Sequence, residues 1–168
     1  SMDSDGSEEA DWFHNNGLAY DAENDLVLLS ARHKDAIVAV NKEDKSLAWI
    51  LGDPTGWDGV DQSYFFTPEG EDFEWFYAQH NVSILDNGDI ALFDNGTAKV
   101  KRVDGDNRVS GDNVYSRAVV YQIDTENMTV SQVTEYGKER GADWYSDWIS
   151  GVVSLDGTQD HLWITAGS

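Results

Sequence analysis

The sequence predicts an all-β fold, part of a β-propeller, on three observations. Its apolar runs are too short for helices, Asx-Gly and polar-cluster turns separate them, and a four-strand pattern recurs along the chain. The first unit begins at His14-Asn15-Asn16-Gly17-Leu18-Ala19-Tyr20, and Asp21 to Asp25 turns the chain. Leu26 to Ser30 reads as a buried strand, Arg32 to Asp35 as a turn and Ala36 to Val40 as the third strand. After a turn at Asn41 to Lys45, Leu47 to Gly52 completes one antiparallel sheet.

The pattern then repeats. Trp75 to Gln79 is an aromatic approach to His80, which opens a short apolar strand. Asp86-Asn87-Gly88 between apolar runs is a strong hairpin signal, with the next strand over Asp89 to Phe93. Arg117 to Ile123 matches the Ile37 strand, and Thr129 to Gly137 matches Leu47 to Gly52. A third unit starts near Ile149, turns at Asp156-Gly157 and continues over His161 to Thr165. The expected blades are 14–52, 80–137 and 149–168, the last incomplete, within a propeller segment over 11–168. A repeat of roughly forty residues with four strands is the propeller signature. A ring takes roughly four to eight blades, and this chain offers about two and a half. The expectation is therefore a fragment, or a ring completed by other copies of the chain. A β-sandwich of hairpins is the alternative.

With 168 residues, 40% of them hydrophobic and 12% aromatic, the chain can fill the core of one domain or of part of one. A formal charge of −21 argues against nucleic acid and anionic membranes as partners. It also makes each of the 11 Lys and Arg worth locating. There is no cysteine, so no disulfide, thiolate nucleophile or cysteine-ligated metal. No apolar run approaches membrane-spanning length, and no signal-peptide core is present. Residues 1–10 read as a flexible lead-in, with Ser1-Met2 a cloning remnant. The insertion 97–114 is rich in Gly, Asp and Asn but lacks the glycine and terminal glutamate of an EF-hand loop, so it reads as an acidic loop. No metal and no cofactor is expected.

Aligning the two full units at their first strands places His14 and His80 at the same position, facing a central channel. Imidazoles titrate near ~6.5, which suits a nucleophile and a general acid. Asn16 lies two residues beyond His14, on the same strand face. Arg32 follows the second strand and offers a planar fork of donors to an oxyanion. Together they point to sulfate, phosphate or carboxylate. The alternative makes His14 and Asn16 turn residues and pairs Arg32 with a surface carboxylate. His33 and His161 read as strand-end histidines. Trp57, Tyr64, Phe65, Phe66, Phe73, Trp75, Phe76 and Tyr77 crowd the connection 53–79, where packing is favoured over an aryl-binding cleft.

Five stretches carry a resemblance. Asp11-Trp12-Phe13-His14-Asn15-Asn16, Ser30-Ala31-Arg32-His33, Gln79-His80-Asn81, Leu92-Phe93-Asp94-Asn95-Gly96 and Tyr115-Ser116-Arg117-Ala118 together resemble the bacterial arylsulfate sulfotransferases. These PAPS-independent enzymes pass a sulfuryl group from a phenolic ester to a phenol. The motifs stand in family order and cover nearly the whole chain after residue 10. The resemblance implies a six-bladed propeller with a separate N-terminal β-domain, and a periplasmic or extracellular location. It implies an aryl sulfate donor, a phenolic acceptor and ping-pong transfer through a sulfated histidine, matched here by His80. His14, Asn16 and Arg32 match channel residues that bind the sulfuryl oxygens and assist the leaving group. A further family histidine from an earlier blade has no counterpart in this sequence, and a family hydroxyl residue falls near Ser150. The alternative function is a non-catalytic propeller that binds an anionic ligand or a protein.

Overall fold

A computed structural model describes residues 11–97 and 115–167, and within them the chain is all-β. The lead-in 1–10 and all but the first residue of the acidic insertion 97–114 lie outside the described residues. The first sheet runs in chain order through β1 (Asn15–Asp21), β2 (Leu26–Ala31), β3 (Ala36–Asn41) and β4 (Leu47–Gly52), every neighbour antiparallel. Its first turn is made by an acidic side chain. Asp21 Oδ1 accepts the backbone N–H of Glu23 and Asn24, so the polar run folds back on one carboxylate. Asp124 repeats the device on Glu126 and Asn127, which stand in the same spacing.

The second sheet has five strands where four were expected. In spatial order they are β5 (Thr67–Glu69), β9 (Thr129–Tyr136), β8 (Arg117–Asp124), β7 (Ile90–Asp94) and β6 (His80–Ile84). The extra strand comes from the connection 53–79 and pairs parallel with β9, Thr67 opposite Thr129. Three exposed residues with a central proline carry no periodic signal, and proline is tolerated because this strand is an edge. A separate hairpin joins β10 (Gly151–Ser154) to β11 (Leu162–Thr165).

The sheets stack face to face in chain order, and this is why the middle strands read as unbroken apolar runs. Ile90 and Leu92 of β7, with Val119 and Tyr121 of β8, share one cluster with Leu28, Ile37 and Leu51 of the first sheet. Their alternates Ala91, Phe93, Ala118 and Val120 turn the other way and pack with Val152 of the hairpin. The aromatic connection is packing, as favoured. Phe66 and Phe76 are buried, Phe66 edge-on to Trp49 at 5.4 Å and Phe76 against Tyr121 at 5.7 Å.

At the joint between the first two sheets, β1 lies against β6 with almost no room. A Cβ on Gly17 would sit 2.9 Å from the Cα of Asn81, so only glycine lets the two backbones approach.

Candidate active site

The site forms where β6 begins, and side chains of the first sheet hold that point. Asn16 Nδ2 donates to the carbonyl of Gln79 at 2.8 Å. The Gln79 side chain, fully buried, donates back to Ser30 Oγ at 3.2 Å and to the Ala36 carbonyl at 2.9 Å. Asp35 Oδ1 accepts the backbone N–H of Ala78 at 2.6 Å. Ala78 and Asn81, on either side of His80, both adopt positive φ (52° and 64°), so the chain kinks around the histidine. A bulge follows at once, between His80 and Ser83. The kink and bulge aim one side chain out of the sheet end.

His80 itself is half-buried. Its Nδ1 lies 2.8 Å from Asn95 Oδ1, and the backbone N–H of Ile149 points at Nε2 from 3.4 Å. Burial pushes the imidazole below its ordinary range, and the nearby charges of Arg32 and His14 push the same way, while hydrogen bonds to Asn95 and to the Ala78 backbone oppose them. An imidazole so placed is neutral near pH 7, with a lone pair to offer.

Arg32 stands at the start of the turn that follows β2, and its Nη2 reaches the carbonyl of Asp147 at 3.4 Å. His14, with φ 48°, precedes β1, and its backbone carbonyl accepts the N–H of Arg32 at 3.1 Å. The His14 ring is hydrogen-bonded through Nδ1 to the Asp11 carboxylate, which that contact holds below the usual carboxylate range. His33 is no bare strand-end residue: it sits in the turn Arg32–Lys34, and its ring stacks on His14 at 4.7 Å. Asp11, His14 and His33 bring ligand-type atoms within 4.8 Å of one another, the one group among the described residues that could hold a metal ion. His161 stands just before β11 and pairs with Asp156 at 2.5 Å.

His80, Arg32, His14 and Asn16 thus collect at the ends of β1, β2 and β6. The register corrects one detail. Asn15 pairs with Ala31 and His80 pairs with Phe93, each just before a bulge, so Asn15 and not His14 is level with His80. His14 stands one residue earlier, with its own backbone at φ 48°. The bond from Asn16 to Gln79 uses one of the two protons on Nδ2. Ser150 lies against Asn95, its Oγ 3.3 Å from Asn95 Nδ2.

Sequence reasoning assigned no role to Asn95 and none to Asp11. Each stood in a quoted motif, but a lone amide or carboxylate at a strand end has no periodic signature. The contacts that matter span 15 residues for His80 with Asn95.

Such an arrangement defines an all-β protein with a half-buried neutral imidazole flanked by an arginine and a second histidine. Comparison with known proteins gives the family. The model of the arylsulfotransferase (ASST) family matches residues 2–168, and the chain belongs to that family. Arylsulfate sulfotransferase AssT of Lelliottia amnigena is 34% identical over 176 residues, covering 95% of this chain and 28% of that protein. Arylsulfate sulfotransferase AssT of Escherichia coli O6:H1 is 34% identical over 173 residues, covering 94% of this chain and 28% of that protein. The chain thus spans little more than a quarter of the length of these curated relatives.

Proposed function

We propose that this chain carries the sulfuryl-accepting part of an aryl-sulfate sulfotransferase, with His80 as the covalent nucleophile. The observation that carries the reading is the half-buried His80 at the kinked start of β6, its ring between Asn95 and the Ile149 N–H, with Arg32 and His14 bearing on it. A ring nitrogen of His80 attacks the sulfur of a phenolic sulfate ester. The N–S bond forms as the S–O bond to the aryl group breaks, and the electron pair leaves on the phenolate oxygen. Arg32 and the remaining proton of Asn16 Nδ2 face the charge on the sulfuryl oxygens. His14 gives the departing phenolate its proton. A second phenol then attacks the same sulfur and gives its proton to His14; the N–S bond breaks with its electron pair returning to the ring nitrogen, both histidines are restored, and the kinetics are ping-pong. By analogy with phosphoryl transfer, positioning and electrostatics supply most of the acceleration.

The same reading makes the stacked sheets blades of a partial β-propeller. Its support is the succession of β1, β6 and β10 along one side: Asn16 reaches Gln79, and both Asn81 and Ser83 reach the Val152 carbonyl, at 2.6 and 2.7 Å. In this reading further blades, or other copies of the chain, close the ring. A periplasmic or extracellular location goes with this reading and rests on the sequence resemblance alone.

The test uses the full-length protein beside its His80→Ala variant, supplied with 4-nitrophenyl sulfate with and without phenol. Acceptor-dependent nitrophenol release in the wild type, absent from the variant, with sulfur mapped to His80 by mass spectrometry, is the expected result. Equal release by both proteins would overturn it.

A further inference from the structure

The polar groups around His80 are connected in a way that leaves little choice about where its proton sits. Asn95 is fully buried at the end of β7. Its Nδ2 donates to the backbone carbonyl of Ser146 at 2.8 Å, and its Oδ1 faces His80 Nδ1 at 2.8 Å. A carbonyl only accepts, so a flipped Asn95 amide would set two oxygens against each other and two donors toward His80. Ser146 is itself fixed: its N–H donates to Ser116 Oγ at 2.9 Å, and that hydroxyl lies within reach of the Asn95 and Ser146 carbonyls, at 2.9 and 3.0 Å. On the other side of the ring, the Ile149 N–H can only donate, and it points at Nε2. Two groups of fixed polarity, from different segments, therefore agree.

We propose that Asn95 is a positioning residue that locks His80 in the Nδ1–H tautomer, so that Nε2 is the atom that bonds sulfur. This rests on the sulfotransferase reading for its consequence, though not for its structural content. An amide suits the task where a carboxylate would not. A carboxylate at this distance would favour the imidazolium, which has no lone pair for sulfur, whereas the neutral amide orients the ring without adding charge. The charged groups that bear on the ring from the other elements are Arg32, after β2, and His14, before β1, and both oppose protonation. The long contact to Ile149 N–H is weak and gives way when the lone pair turns to sulfur.

The experiment is long-range proton–nitrogen NMR of the full-length protein, 15N-labelled at histidine, which distinguishes a protonated from a bare ring nitrogen. The expected wild-type result above the His80 titration is a protonated Nδ1 and a bare Nε2. Asn95→Ala removes the acceptor and lets His80 move toward the Nε2–H tautomer that free imidazole side chains favour. Asn95→Asp keeps an acceptor facing Nδ1 but adds a charge, and raises the titration midpoint by about one to three pH units. A residue with a merely structural role would lower stability and leave tautomer and midpoint where they were. An Nε2–H tautomer in the wild type would overturn the proposal, and should Asn95→Ala fail to fold, that wild-type reading still decides. The measurement needs no turnover. An Nδ1–H ring in a protein that transfers no sulfuryl group would sink the proposed function alone, and transfer by an Nε2–H ring would sink this proposal alone.

Discussion

The buried carboxylate of Asp94 holds the Arg117 guanidinium through Oδ2, 2.9 Å from Nε, and with Oδ1 accepts the backbone N–H groups of Tyr77 and Gly96, each at 2.9 Å. One side chain thus ties the end of β7, where Asn95 sits, to the segment that leads into His80. Arg117 continues the network into the aromatic connection, donating to the carbonyls of Glu74 and Trp75 at 3.0 and 3.2 Å. It is fully buried, and its remaining donors meet Gln132 and Glu135.

Breaking this pair from the cationic side leaves a buried carboxylate without its partner. Arg117→Met is expected to cost about 3–5 kcal/mol, read as a lower midpoint in urea unfolding. A loss below about 1 kcal/mol, the range of surface ion pairs, would show that the network only fills space.

The contact between β1 and β6 depends on a missing methyl group. A Cβ on Gly17 meets backbone atoms of Asn81 and Val82 at 2.9 to 3.1 Å, and backbone cannot step aside as a flexible side chain would. Gly17→Ala should therefore cost about 1–3 kcal/mol as overpacking, measured by thermal or urea unfolding. It should also disturb the NMR signals of His80, because the displaced strand begins there. A neutral substitution would mean that the two strands are not in contact.

Stability should depend on pH through His80. Its folded-state midpoint lies below the ordinary 6.5, so the folded chain disfavours the protonated ring. The stabilisation is present above about pH 6.5 and is lost as pH falls through the folded midpoint, because the unfolded state takes up the proton first. Comparing urea unfolding across that window in wild type and His80→Gln isolates the contribution. The wild type should lose more stability on acidification than the variant, and parallel profiles would contradict the assignment.

Arg32 acts on His80 by charge, so its removal has a sign. Arg32→Gln should raise the His80 midpoint, since a positive neighbour that opposed protonation is gone. NMR titration of the chain reads this directly, and a lowered midpoint would refute it. In the full-length protein the same variant should slow sulfuryl transfer by about 10²–10³, with Arg32→Lys between, since a lysine keeps the charge but not the planar fork.

Much of this was legible from the chain alone. Leu47–Gly52 folds with the boundaries its apolar run indicated, and Asn87-Gly88 turns β6 into β7. The ladder of a hairpin and the faces of a strand are set by neighbours in sequence, so periodicity and turn residues encode them. The charged and aromatic motifs also pointed to His80, Arg32, His14 and Asn16 before any geometry was known. Tertiary structure alone decided that Thr67–Glu69 pairs with β9, that Asn15 is level with His80, and that His33 stacks on His14. It alone decided that Asn95, held by Ser146, faces the ring of His80. Those relationships come from the stacking of whole sheets and the fixed polarity of groups far apart in the chain, and no local pattern records either.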